Sequence, residues 1–305
     1  MAAENMNMIR RSKKDRRTGS IVPDVIIYLI LIFAILIVLF PFYNVILLSF
    51  APYDNIAGAR FYVWPRGFTL ENYASVLENE LFLRSIGISV FNVITGVAMN
   101  LVMTTIAAYS LNRKDLPFRK TISYLILLTM FFGAGLVPWY LVVRNLGLVN
   151  NIMVMTVPGM IGTFNIILMR NFFNSIPASL EESAKIDGAG EFVVMTQIYV
   201  PLSKPIYATI GLFCAVGLWN DWWLAHLFIQ TQRLFPLALV IRRAVIENSI
   251  PLSDIAASFR SKVVTIYPRS LQSAAIMIAI VPIMMVYPFL QKYFAKGIML
   301  GAIKA

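Results

Sequence analysis

The sequence has little of what builds a chemical site. It holds one cysteine, Cys214, and one histidine, His226, in 305 residues. A lone cysteine excludes an internal disulfide and reports nothing about redox compartment. One of each excludes a protein-built zinc centre and a Cys/His catalytic pair. Charge is scarce as well: 13% of residues are charged, against about 25% in a soluble domain. No G-x-x-x-x-G-K-[ST] loop occurs, so the chain lacks a phosphate cradle for hydrolysing ATP. The apolar segments carry no paired acid and base and no metal cluster, which removes the grounds for an intramembrane enzyme.

What is present is apolar. Hydrophobic residues make up 59% of the chain and mean hydropathy is +0.74, the composition of an integral membrane protein. The formal charge of +11 suggests nucleic acid in a soluble chain, but in a membrane chain basic residues set topology, and no nucleic-acid partner is read here. Residues 1–20, with Arg10, Arg11, Lys13, Lys14, Arg16 and Arg17, read as a basic tail beside anionic headgroups. A signal peptide is the alternative, but the apolar run from Val25 to about Phe50 is too long for one and no small-residue cleavage site follows it.

Residues 21–305 then read as one membrane domain with crossings near 25–50 (bent at Pro41), 82–111, 121–143 (interrupted by Gly133, Gly135 and Pro138), 151–173 (carrying Pro158 and Gly162), 206–228 and 271–293. Each is long enough for a core about 30 Å thick, which needs about 20 residues. Residues 51–81 read as a polar loop with interfacial aromatics. With the amino terminus inside, the inner segments hold the tail cations, Arg113, Lys114, Arg119, Lys120, Arg170, Lys185, Lys204, Lys292, Lys296 and Lys304. The short inner loops are then the richer ones, and the long outer stretch 229–270 translocates regardless of charge. Both termini are expected in the cytoplasm.

Residues 177–205 are the one long polar interruption. Pro177 can open a helix, Ser179 can cap it, and Glu181 and Glu182 complement its positive end. Gly188 breaks it. A second helix is expected from Glu191 to Tyr199, with Phe192, Met195 and Ile198 along one side, until Pro201 and Pro205 stop it. Helix, turn, helix between two crossings makes a compact knob suited to docking a protein; an ordinary polar loop is the alternative.

Glu182-Ser183-Ala184, then Gly188, Ile198 and Pro201 at their spacings, resemble the EAA loop of ABC importer membrane subunits, with Ser183 where the family has an alanine. LMRNFFNSIPASLEESAKIDGAG from Leu168 to Gly190, and GAGLVPWYLVVRNLGLVNN from Gly133 to Asn151, are similar to the maltose-type permeases, especially those for complex oligosaccharides. The run Ala107-Ala108-Tyr109-Ser110-Leu111-Asn112-Arg113 and the tail KGIMLGAIKA from Lys296 also resemble that branch. The resemblance implies an all-α permease of six transmembrane helices, with a cytoplasmic helix-turn-helix coupling loop, in a bacterial plasma membrane. It implies a second permease, two ATPase subunits that bind the ATP and magnesium, and an extracytoplasmic sugar-binding protein; the chain itself needs no cofactor. By the same resemblance Glu182 pairs with a base on the ATPase, and Ala184, Ile186, Ile198 and Pro201 pack the knob into its socket. Gly188 permits the turn, and Gly301, Ile303 and Lys304 reach the ATPase. Asp187 is open between an ATPase contact and capping the second helix.

A sugar pathway wants amides and aromatic faces along a cavity. Asn92, Asn100, Trp139, Tyr140, Asn165, Trp219, Asn220, Asp221, Trp222 and Trp223 are the supply, and Trp219-Asn220-Asp221 resembles a recurrent sequence of carbohydrate permeases. Interfacial anchoring for the tryptophans and interhelical hydrogen bonding for the asparagines are the alternatives. Within 229–270, helices are expected over Leu237–Glu247 and Leu252–Val264, forming either an interfacial layer or an outer gate or landing surface. The function read is ATP-driven import of sugars, with the chain as half of the pore. A permease for another solute, a regulatory membrane component, and an ion-coupled carrier using Asp221 are the alternatives.

Overall fold

A computed structural model describes residues 21–52, 62–64, 67–247 and 269–285. Among them every regular element is helical. The basic tail, Leu252–Val264, Gly301, Ile303 and Lys304 lie outside the described residues.

Helix α1, Ile21–Ser49, runs unbroken through Pro41 for 29 residues, roughly 43 Å at the usual rise. Its apolar side chains are exposed on all sides over most of its length. The polar loop expected next contains a helix, α2, Glu71–Glu78. Asn72 docks it on the end of α1: it is buried and donates from Nδ2 to the carbonyls of Ser49 (3.0 Å) and Ala51 (3.2 Å). One side chain thereby satisfies acceptors left open where α1 ends.

Helix α3, Glu80–Asn112, starts where the Asn79 side chain accepts from the Phe82 amide at 2.8 Å. It is the central helix, packed along α6, Thr163–Phe173, and α9, Lys204–Asn220. The face it buries is small and polar: Ser85, Ser89, Asn92, Gly96, Asn100, Thr104 and Ala108. Val90, Phe91, Ile94, Val102 and Ile106 point outward. That pattern is expected in lipid, where apolar burial drives no helix together and close approach with hydrogen bonding does. At Gly96 a Cβ would lie 2.5 Å from Leu218 Cδ1, so this approach to α9 uses the missing side chain.

The later crossings are less regular than expected. Residues 121–143 divide into α4, Arg119–Phe131, and α5, Leu136–Asn145, which meet at 115°. Between them Gly135 has φ +83°, a left-handed geometry that glycine adopts without a Cβ clash. Residues 151–173 are not one helix either. A 3₁₀ turn, Ile152–Met155, is capped by Asn151, and coil follows through Pro158, which cannot donate to a helical ladder, until α6 begins. After α7, Ala178–Ile186, and α8, Glu191–Leu202, the chain bends by 81° into α9. Helices α10, Trp223–Phe228, α11, Leu237–Arg242, and α12, Arg269–Met285, complete the described residues. By length and composition α1 and α3 can cross a membrane, and the count reaches 4 when each bent pair is taken as one span.

Two buried clusters hold the bundle. One, beside α7 and α8, contains Ala108, Met169, Phe173, Val194, Tyr199 and Ile210. The distal cluster contains Val143, Met155, Phe228, Phe235, Leu237 and Leu239. There Tyr140 stacks on Phe228 at 5.0 Å and Trp139 meets it edge-on at 5.2 Å. Phe235, Leu237 and Leu239 are thus part of a core. Residues 243–247 continue α11 as a π turn, close to the helix expected there.

Candidate functional site

Residues 177–205 form the helix, turn and helix expected from their sequence, with corrections in detail. Pro177 precedes α7 and offers no side-chain cap, and Ser179 lies inside the helix. Asp187 ends α7, and Gly188 follows at φ +83°. The Ala189 amide donates to the Ala184 carbonyl (2.9 Å) and the Gly188 amide to that of Lys185 (3.0 Å). These two bonds close a Schellman motif, whose left-handed position is Gly188. The residue opening α8 is Gly190, and no side chain caps it, so Asp187 is not its cap. Pro201 does not stop α8. It follows a π turn, Met195–Tyr199, and the helix ends at Leu202; the wider π spacing accommodates a residue without an N–H.

The knob is tied to α3 by charge. Arg113, just past the end of α3, binds Asp115 through Nε (2.9 Å) and Nη2 (2.8 Å). It also pairs with Glu181 of α7 through Nη1, and with Glu191 of α8 at 3.0 Å. Lys185 bridges the same two glutamates at 2.8 and 3.3 Å. Tyr199 donates to Glu181 Oε2 at 2.8 Å and Tyr109 to Glu191 Oε2 at 2.5 Å. Phe173 and Tyr109 each pack edge-on against the Tyr199 ring at 5.2 Å. Arg113 and Tyr109 belong to the Ala107–Arg113 run that resembles the permeases, so the sequence carried a signal for them without showing their partners.

These contacts sort the expected coupling residues. Ala184 and Ile198 pack inward on the chain's own cluster. Glu182, Ile186, Asp187, Gly188 and Pro201 are exposed. Ile186 is 87% exposed and Phe192, from the next helix, 73%. Two neighbouring carboxylates have thus divided: Glu181 turns inward to Arg113, and Glu182 faces out.

Burial pushes the Glu181 carboxyl up, but hydrogen bonds from Lys185 and Tyr199 and the charges of Lys185 and Arg113 outweigh it and hold the group below its ordinary value of 4.5. Its bond with Asp115 raises Arg113 further above its ordinary value. A depressed carboxylate stabilises the fold fully above its unfolded value and loses that contribution as pH falls through the folded one. Glu181→Gln is therefore expected to cost about 1–2 kcal/mol at pH 7, and the gap from wild type closes as pH drops below 4.5. Thermal unfolding of both proteins across that range is the check.

The expected pathway residues do not converge on one surface. Asn92 is buried and donates to Met155 Sδ at 2.9 Å. Asn100 donates to the Gly159 carbonyl (3.2 Å) and accepts from Asn165 Nδ2 (3.1 Å), which also contacts Cys214. Asn92 thus ties α3 to the 3₁₀ turn, Asn100 and Asn165 join α3 to α6 and α9, and Tyr140 packs against the distal cluster. Asp221 accepts from the amides of Trp223 (2.9 Å) and Leu224 (3.3 Å), capping α10. Trp219, Asn220 and Trp222 do come together. They line an open groove of about 360 Å³ with Ala238, Arg242 and Ile280, and the Arg242 guanidinium lies 3.6 Å over the Trp222 ring. Asn100→Ala is accordingly expected to cost about 1 kcal/mol in thermal unfolding, with uptake falling only as far as the folded fraction does.

No family model matches the chain. It is 41% identical over 270 residues to protein LplC of Bacillus subtilis strain 168, covering 88% of this chain and 90% of that one. It is 36% identical over 281 residues to the polygalacturonan/rhamnogalacturonan transport system permease protein YtcP of the same strain, covering 92% and 98%. This chain belongs to the sugar ABC transporter permeases. The permease also resembles, with TM-score 0.84 and 31% identity, a chain in the crystal structure of a bacterial ABC transporter involved in import of the acidic polysaccharide alginate, covering 91% of itself and 98% of that chain. As a permease it is a transport subunit in the membrane, and ATP hydrolysis belongs to separate chains.

Proposed function

We propose that the permease forms half of the pore of an ATP-driven oligosaccharide importer and docks a separate ATPase through residues 177–205. The observation that carries this is the division of the knob. Its inner side is wired to α3 through Arg113, while its outer side presents Ile186 and Phe192 to solvent beside Glu182. Exposed apolar side chains on a rigid polar knob are what a protein socket covers.

In this reading the chain crosses six times: α1, α3, the bent pair α4–α5, the broken stretch ending in α6, α9 with α10, and α12 with the residues after it. Residues 1–20 are a cytoplasmic tail, 21–305 a single membrane domain, and 229–270 an external stretch. Both termini and the knob face the cytoplasm, where Gly301, Ile303 and Lys304 join the ATPase contact. A second permease completes the pore, two ATPase subunits bind ATP and magnesium, and an extracytoplasmic binding protein delivers the sugar. Closure of the ATPases rocks the knob and switches access to the cavity.

The relatives support an acidic sugar cargo, and Trp219 and Trp222 offer faces to sugar rings in the groove. Polygalacturonan and alginate, named for the relatives, are acidic. An ion-coupled carrier is disfavoured because the Asp221 carboxylate is engaged in capping α10.

Gentle purification of the chain from its own membrane tests the function. The proposal expects a second permease and an ATPase to come with it, and hydrolysis that rises with a binding protein loaded with a uronate oligosaccharide more than with a neutral one. Recovery of the chain alone, with uptake that follows an ion gradient and ignores ATP, contradicts it.

A further inference from the structure

Two kinds of contact join the knob to α3, and they do different work. The apolar cluster of Ala108, Phe173, Val194 and Tyr199 holds the parts together, but apolar burial is non-directional and leaves rotation and sliding available. Hydrogen bonds are directional: Tyr109 and Asn112 of α3 donate to Glu191 and Tyr199 of α8, but the Arg113 guanidinium reaches α7 and α8 together. Its fork takes Asp115 from the loop, Glu181 from α7 and Glu191 from α8 at once, and its side chain is only 17% exposed.

The local charge makes that cation hard to replace. Asp115, Glu181 and Glu191 face Arg113 and Lys185. Without Arg113, Lys185 alone would stand among these carboxylates, with Glu181 on α7 and Glu191 on α8 repelling each other across the Gly188 turn. A lysine keeps the charge but has no planar fork to hold several carboxylates in fixed directions.

At its other end α3 holds the wall of the groove. Ser89 Oγ accepts from the Leu237 amide at 2.8 Å, and Leu237 and Ala238 line the groove with Trp219 and Trp222. Helix α3 therefore runs without a break from the Arg113 node to the groove.

We infer that Arg113 is the positioning residue that makes the knob and α3 one rigid lever, so that motion of the knob reaches the groove instead of being absorbed in the turn between α7 and α8. This rests on the reading of the knob as an ATPase dock. Arg113 touches neither cargo nor nucleotide.

The test uses the whole complex from its own membrane, with Cys214→Ser and Ala238→Cys, so that a maleimide reports on the groove and no particular sugar is needed. In the otherwise unaltered complex, ATP with vanadate changes the labelling rate at position 238 severalfold. With Arg113→Gln the ATPase stays bound and traps nucleotide, but the change in labelling is lost; Arg113→Lys shows an intermediate change. A full response in Arg113→Gln overturns the inference. If that variant does not assemble, a full response in Arg113→Lys overturns it equally, and so does a groove that ignores nucleotide when Arg113 is intact. Ile186→Asp separates this from the docking reading. If it keeps a bound ATPase and a full response, the dock itself is wrong. If it loses the ATPase while Arg113→Gln responds fully, only the lever is wrong.

Discussion

Ile186→Asp is expected to abolish ATP-driven uptake while leaving the thermal unfolding of the chain unchanged. Ile186 is 87% exposed, so the fold gains almost nothing from it and loses almost nothing with it. Its environment changes only when a partner covers the knob. An aspartate there must then be desolvated in an apolar socket without a counter-charge. Central apolar contacts of protein interfaces cost about 2–4 kcal/mol when lost, which at 1.4 kcal/mol per decade weakens ATPase association by roughly 30- to 1000-fold. Co-purification of the ATPase, beside unfolding curves of both proteins, measures the two halves of the expectation separately. A variant that unfolds early would instead show that Ile186 supports the fold.

Phe173→Ala is expected to do the reverse and act through stability. Phe173 is 1% exposed and meets the Tyr199 ring edge-on at 5.2 Å. Truncating a buried phenylalanine costs about 3–5 kcal/mol, because the site collapses only partly around the missing ring. Tyr199 is also a donor to Glu181, so the cavity loosens the ring that orients that carboxylate. Unfolding should shift to markedly lower temperature, and uptake should fall in step with the folded fraction. Normal stability with lost uptake would place Phe173 in a contact that its burial rules out.

The contrast between these positions shows what a sequence exposes. Gly188 and the polar residues around it announced a turn between two helices, because the chemistry of a glycine break is local. The membrane character was equally legible. The division between Glu181 and Glu182 was not. They are adjacent on α7, and which one turns inward depends on Arg113, 68 positions away. Asn92, Asn100 and Asn165 were ambiguous for a physical reason: in lipid the buried face of a helix is the polar one, so an amide facing a neighbouring helix and one facing a cavity leave the same trace. Gly133, Gly135 and Pro138 marked the break between α4 and α5, and Pro158 and Gly162 the coil before α6, but apolar composition continues across both and gave no sign of the 115° bend. Asn72 escaped notice since its value lies in acceptors of α1 that only the fold brings to it.

A photo-crosslinking residue placed at 186 in the whole complex, in its own membrane, tests the knob most directly. A control at Phe68, which is 70% exposed and stacked on Phe50 where α1 ends, reports on the region beside α2. The docking account predicts an adduct between position 186 and the ATPase chain, identified by its mass, and none from position 68. An active importer in which position 186 yields no ATPase adduct would contradict it.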